Sequence, residues 1–358
     1  MGILHDPSTY LVMQKIPVLV VLAHLLLFLG GCDNKMVTSI KQLVTTEPVF
    51  GDSDDPAIWI NERSLDSSII LGTDKHKTNG GIYVFNLTGK IDSVRSKFNL
   101  KRVNNIDIAN KFIFANDTIS IAVATERDNN ALRVLSLPEM NFIDNNGIKV
   151  FTDDHLNLPM GIALYTRPKD NKIFAIVGRK EGPSEGYLYQ YLLFDDAGKV
   201  NATLVRKFGK FSGKKEIESI AVDNELGFVY YSDEQFGIRK YYADPDSTNV
   251  ELAVFGKNEF KDDNEGISIY KKSGGTGYIL VSNQADHSFN IYLREGEKNN
   301  KHNHRLVKNI KVSARNSDGS DITSVSLPGF KQGLFVVMSD NRTYHYYSWS
   351  QIQEKINN

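Results

Sequence analysis

Sulfur is nearly absent: the 358-residue chain holds a single cysteine, Cys32. A disulfide framework, a thiolate zinc site and a Cys/His catalytic pair are therefore excluded from the folded body. A surplus of one charge is missing too. The 42 Lys+Arg face 43 Asp+Glu, a formal net charge of −1, so no nucleic acid is expected as a partner. Long apolar runs are lacking apart from one near the amino end, which excludes a polytopic membrane protein. With 41% hydrophobic and 24% charged residues the chain is also unlike a disordered one. No long helical periodicity appears beyond about residue 44. Two routes to phosphate-ester chemistry lack their residues: no Arg-His-Gly run offers a phosphohistidine, and no Walker loop is present.

The one apolar run, Ile16 to Leu29, follows Lys15 and is broken only by Pro17 and His24. Its length and position predict a secretory signal rather than a membrane span. It ends Leu29-Gly30-Gly31-Cys32, which resembles the lipobox of bacterial lipoproteins. Residues 1–31 thus read as a lipoprotein signal peptide, residues 32–43 as a polar tether and residues 44–358 as the folded body. The resemblance implies lipid on Cys32 as the only membrane attachment. It places a monomeric body in the cell envelope, facing periplasm or exterior.

The body is built from short Val-, Ile-, Tyr- and Phe-rich runs separated by Gly, Asn and Asp. One pattern recurs six times: apolar strand, charged loop, second apolar strand. The copies begin near Ile69, Ser120, Ile173, Phe228, Tyr278 and Leu334, at a period of about 50 residues. A further apolar strand with a polar start precedes each copy. Six such units predict an all-β chain, a six-bladed β-propeller. A long β-sandwich is the competing architecture, but it does not explain the even period.

Strands of a blade run antiparallel, so the start of the first strand and the loop joining the second to the third share one end. The first-strand starts are Asp55, Asn105 (with Asp107), Met160, Glu218, Glu265 and Asp321. The loops supply Lys75, Arg127, Lys180 (with Arg179), Glu234, Gln284 and Asp340-Asn341, while Asp52, Asp54, Asp263 and Asp318 flank them. Acids are expected on one arc of the mouth and cations on the other. Crowded carboxylates need cations to stay ionised, and Ca²⁺ prefers oxygen ligands. Lys and Arg facing them suit phosphate. Two other stretches read as solvent-exposed: the basic hairpin Arg206 to Lys215, and the loop carrying His302 and His304.

At this point the sequence resembles the β-propeller phytases. The resemblance is carried by Asp52-Ser53-Asp54-Asp55-Pro56-Ala57-Ile58-Trp59, Asn104-Asn105-Ile106-Asp107, Lys180-Glu181-Gly182, Glu265-Gly266-Ile267-Ser268 and Gly277-Tyr278-Ile279-Leu280, in that order from about Glu47 to Trp349. It implies a Ca²⁺-dependent phosphomonoesterase that binds several calcium ions and hydrolyses phytate (myo-inositol hexakisphosphate) or other inositol phosphates, presented as calcium complexes. The implied metal ligands are Asp54, Asp55, Glu218, Glu234, Asp263, Glu265 and Asp318; position around the mouth adds Asp52 and Asp321 as candidates. The implied phosphate contacts are Lys75, Arg127, Lys180 and Gln284, to which the loop position adds Arg179. Glu218, Glu234 and Glu265, with Lys75, Arg127 and Lys180, would carry catalysis by metal-activated water. Met160 stands where the family has a tyrosine, and the acidic stretch near the last blade is thinned to Asp318-Gly319-Ser320-Asp321. Two other functions remain compatible with the residues: a non-catalytic calcium-binding surface propeller, and a propeller lactonase or esterase. The second leaves the row of cations without a purpose.

Overall fold

In the computed structural model, which describes residues 39–358, the repeat becomes six four-stranded antiparallel sheets. The signal segment and Cys32 lie outside the described residues. Six blades in a ring make this a six-bladed β-propeller. The innermost strands are Ser53–Trp59, Val103–Phe114, Pro159–Thr166, Ile220–Asp223, Asn264–Lys271 and Ser320–Thr323. The second strands start at Ile69, Asp117, Ile173, Phe228, Gly277 and Leu334, within a few residues of the repeat points read from the sequence.

Burial explains why those second strands were so visible. Ile69–Asp74, Ile173–Arg179, Phe228–Asp233 and Leu334–Ser339 are buried at every position. Each is covered on both faces by neighbouring blades, so it reads as a continuous apolar run rather than an alternating one. Outer strands have one wet face, and Leu306–Lys311 alternates accordingly. The core is divided among the seams between blades. Ile121 and Val123 of blade two, for example, pack with Leu164, Ala175 and Val177 of blade three. Phe228 and Tyr230 of blade four meet Ile269 and Val281 of blade five in the same way.

The ring is closed by the amino-terminal strand Val44–Thr45, which pairs antiparallel with Thr343–Ser348 of the last blade. That blade therefore contains strands from both ends of the described chain, and opening the ring requires breaking this pairing. The chain ends in the helix Trp349–Asn357, started by a capping box between Ser348 and Gln351. Trp349 stacks on Tyr270 at 3.6 Å between centroids, and Ile352 is buried in the seam of blades five and six. Among the described residues no helix is long and apolar enough to cross a membrane.

Two stretches depart from the solvent-exposed reading. His304 is buried, its Nε2 3.0 Å from Lys240 Nζ and its Nδ1 2.8 Å from the Leu293 carbonyl. Arg206 is buried as well and donates to the Tyr242 carbonyl and to Asn249 Oδ1, both at 2.8 Å. Arg206, on the outer strand of blade three, is covered by the 242–249 segment of blade four, and His304, in a loop of blade five, packs on Lys240 and Tyr230 of blade four.

Candidate active site

Four of the innermost strands lose their regular register near their starts. Pairing with the second strand shifts between Ser53 and Pro56, Val103 and Ile106, Pro159 and Ile162, and Asn264 and Ile267. Each bulge frees two consecutive residues from the strict alternation of a strand and re-aims their side chains. The freed pairs are Asp54-Asp55, Asn104-Asn105, Met160-Gly161 and Glu265-Gly266. Glycine is required at two of these close approaches. A Cβ on Gly161 would lie 2.1 Å from the Glu218 carbonyl oxygen, and one on Gly319 would lie 2.5 Å from Asp55 Oδ1. Any larger residue at either place would push neighbouring blades apart at the mouth.

The side chains converge there. Lys75 Nζ sits 2.6 Å from Asp318 Oδ2 and 3.2 Å from Asp54 Oδ1. Asn104 Nδ2 donates to Asp54 Oδ2 at 2.8 Å and to Glu218 Oε1 at 3.1 Å, joining blades one and four across the ring. Arg127 reaches within 3.9 Å of Glu218, Lys180 pairs with Glu216 at 2.5 Å, and Gln284 donates to Asp318 at 2.6 Å. Lys215 Nζ lies 2.5 Å from Asp263 Oδ2, 2.8 Å from Glu234 Oε2 and 3.8 Å from Glu265 Oε1. Two triads, Glu216/Glu218/Glu234 and Glu234/Asp263/Glu265, each place three carboxylate oxygens within 4.8 Å of one another.

Acids outnumber bases here, and burial makes that costly. Burial pushes the carboxyl of Asp54 well above its usual value, and Glu218 and Asp318 add to the push while Lys75 opposes it. Glu265 is raised in the same direction by burial and by Glu234, Glu218 and Asp318. Glu218 and Asp55 are raised mainly by burial, and Glu234 is raised to about 8. Burial alone would lower Lys75 and Lys215, but the surrounding carboxylates outweigh it and hold both above the ordinary lysine value. Several buried oxygens have no hydrogen-bond donor: both of Glu234, Oε2 of Glu265 and Oδ1 of Asn104. Lys215 is near enough to Glu234 to form an ion pair but is not aligned for a hydrogen bond. The Nε of Arg127 is likewise buried with no acceptor. Unsatisfied buried carboxylate oxygens of this kind suit a hard, oxygen-preferring cation.

The sequence-derived candidates divide between this cluster and the structure around it. Lys75, Arg127, Lys180, Gln284, Asp54, Glu218, Glu234, Asp263, Glu265 and Asp318 are brought together at one mouth. Asp52 stands at its rim with one side open to solvent; the cover on its other side raises its carboxyl and Lys75 opposes the rise. Asp55 sits just below, lining the central channel, with Oδ2 accepting from the Ile106 amide at 3.2 Å. Asp321 also lines that channel and accepts from the amides of Ile58 and Ile322, both at 2.7 Å, so it clamps blade six to blade one. Asp107 does the same from blade two to Leu164. Arg179 is fully buried within blade three. It donates to Asp154 at 2.7 Å and to the carbonyls of Leu156 and Tyr187, under the rings of Phe151 and Tyr189. Met160 is buried.

Acids and cations interleave instead of taking opposite arcs. Three residues that sequence reasoning passed over belong to the cluster: Asn104, Glu216 and Lys215. Glu216 stands two residues before Glu218, as Asp263 stands two before Glu265, and that parallel was the available signal. Lys215 belonged to the hairpin read as solvated. A further string, Gly182-Pro183-Ser184-Glu185-Gly186, has the letters of a nucleophile elbow. Ser184 lies between two antiparallel strands, Ile173–Arg179 and Glu185–Asp196, not on a strand-to-helix turn.

The chain is similar to a known protein over most of its length. The 3-phytase of Bacillus subtilis (strain 168) is 28% identical over 336 residues, covering 87% of this chain and 84% of that protein. The family model described as Phytase matches residues 11–355, and the chain belongs to that family.

Proposed function

We propose that this protein is a calcium-dependent phosphomonoesterase that releases phosphate from phytate and related inositol phosphates. The observation that carries the proposal is the pairing, at one mouth, of buried carboxylate oxygens that lack donors with the guanidinium of Arg127, whose Nε lacks an acceptor. Glu216, Glu218, Glu234, Asp263 and Glu265 would hold the calcium, and Asp54 and Asp318 border them. Calcium bound there supplies positive charge to polarise a phosphoryl oxygen and to acidify water.

The chain's own groups divide the remaining work. Arg127 and Lys180 stand at the mouth beside Glu218 and Glu216; they would orient an incoming phosphate and offset the charge that grows on its oxygens. Lys75, held between Asp54 and Asp318, fixes those two carboxylates in place. Glu218 and Glu265 would accept a proton from the attacking water. No side-chain nucleophile is needed, consistent with a body that has no cysteine. A highly phosphorylated ring with its own calcium would add charge of both signs and match a mouth of interleaved acids and bases.

The test is phosphate release from phytate by chelator-treated protein, with calcium then restored. Calcium-dependent release supports the reading; calcium binding without release would indicate a surface-binding propeller instead. We propose further that Cys32 carries lipid and anchors the body in the cell envelope. The supporting observation is the Leu29-Gly30-Gly31-Cys32 sequence alone. A Cys32→Ser variant found in the soluble fraction would support it, and one still in the membrane would refute it.

A further inference from the structure

We infer that Lys215 is a built-in counter-cation that occupies the second carboxylate triad, so that a divalent ion enters that triad only by displacing the lysine. This inference rests on the calcium reading above, and it concerns which of the two triads is free to take metal.

The geometry is specific to one triad. At this mouth Lys75 contacts two carboxylates, while Arg127 and Lys180 contact one each. Lys215 alone reaches three, and they are the three of the second triad: Asp263 at 2.5 Å, Glu234 at 2.8 Å and Glu265 at 3.8 Å. An ammonium so placed takes up the volume a calcium ion would need, because calcium–oxygen distances run about 2.3–2.6 Å. In the first triad the cations stand outside. Lys180 pairs with Glu216 and Arg127 approaches Glu218, but neither contacts all three carboxylates.

The triad is more than a cluster of acids. Glu234 is fully buried with both oxygens unmatched by a donor, and Glu265 is buried with Oε2 unmatched. Lys215 therefore compensates charge there without satisfying the available lone pairs. That is what a substitute for a metal ion would do, since one ammonium has three donor directions and a divalent ion accepts from all sides.

The lysine is also able to leave. Its side chain is 37% exposed. It belongs to a surface turn that is open to solvent at Gly213, where an added Cβ would meet nothing within 4 Å. The turn is fixed on the far side by Ser212, which bonds Asp233 through both its amide and its hydroxyl. The anchor can hold while the ammonium swings out. Glu234 is shared by both triads, so charge gained at the first weakens the hold of Glu234 on Lys215. The two triads should therefore fill in order, the first before the second.

Calorimetric titration of calcium into chelator-treated wild type, Lys215→Met and Lys215→Arg tests this, with melting temperature recorded in parallel. Lys215→Met should tighten the weaker class of calcium sites by about tenfold, the effect of removing one partly buried ion pair. It should also enlarge the calcium-induced rise in melting temperature. Lys215→Arg should keep the weak class at or below wild-type affinity. Lys215→Gln carries the same expectation as the methionine variant should that one fail to fold. Identical isotherms for wild type and Lys215→Met would overturn the role of Lys215 while leaving metal binding intact. No calcium binding by any of the proteins would overturn the metal reading and this inference with it.

Discussion

Calcium should flatten the pH dependence of this protein's stability. Glu234 provides the clearest case because it is fully buried and its oxygens lack donors. Its carboxyl moves from 4.5 to about 8, chiefly through burial, with Lys215 opposing and Glu218 adding to the shift. A carboxyl raised in the folded state binds its proton more tightly there than in the unfolded chain. Its contribution is complete below pH 4.5 and is lost as pH rises toward 8. The gap between those values corresponds to about 5 kcal/mol. Unfolding entropy of about 2 cal/mol/K per residue over roughly 300 residues makes that a fall of about 8 °C in Tm. Calcium bound to Glu234 holds it ionised and removes this loss. Asp107 and Asp321, raised to about 6 and about 7 mainly by burial, titrate with or without metal, so the difference between profiles isolates the mouth. Scanning calorimetry between pH 5 and 9, in chelator and in excess calcium, gives both curves. Parallel curves, or a chelated protein that gains stability across this range, would refute the reasoning.

Three substitutions extend the account. Glu265→Gln keeps the side chain's size and removes a charge from a crowded cluster. It should lower kcat on phytate by about 100-fold or more while raising the Tm of the chelated protein; wild-type turnover would remove Glu265 from the site. Lys180→Ala, at a side chain 39% exposed, should weaken phosphate binding and lower kcat/KM about tenfold with little change in Tm. An unchanged kcat/KM would show that Lys180 only compensates Glu216. Arg179→Met should do the opposite, destabilising by about 3 kcal/mol because Asp154 and two carbonyls lose their donor, with KM preserved in the folded fraction. A selective rise in KM at unchanged Tm would place Arg179 at the substrate instead.

Arg179 also shows where the sequence was legible and where it was not. It is adjacent to Lys180, yet the two serve different ends, because successive residues at a strand end point to opposite faces. Sequence proximity placed both at the mouth; the pleat sends only Lys180 there. The six-bladed fold was readable because the second strands are buried on both faces and punctuated by polar loops. Glu218 and Glu265 were readable because they recur at one position of the repeat; in blade one that position was assigned to Asp55, with Asp54 read as flanking it. Asp321 recurs too, but its period is that of Asp107: both lie further along the strand, where a carboxylate clamps the next blade's backbone. Lys215 and His304 were not readable because insertions between strands have no period. Their burial depends on how a loop folds over its neighbour.

The central claim is that metal sits among the buried acids of blade four, Glu216, Glu218 and Glu234. Crystals soaked in calcium, with anomalous difference maps recorded at long wavelength, test it directly. The account predicts an anomalous peak bounded by Glu216, Glu218 and Glu234, abolished by chelator. Strong peaks elsewhere with none against Glu218 and Glu234, in crystals that release phosphate from phytate, would contradict it.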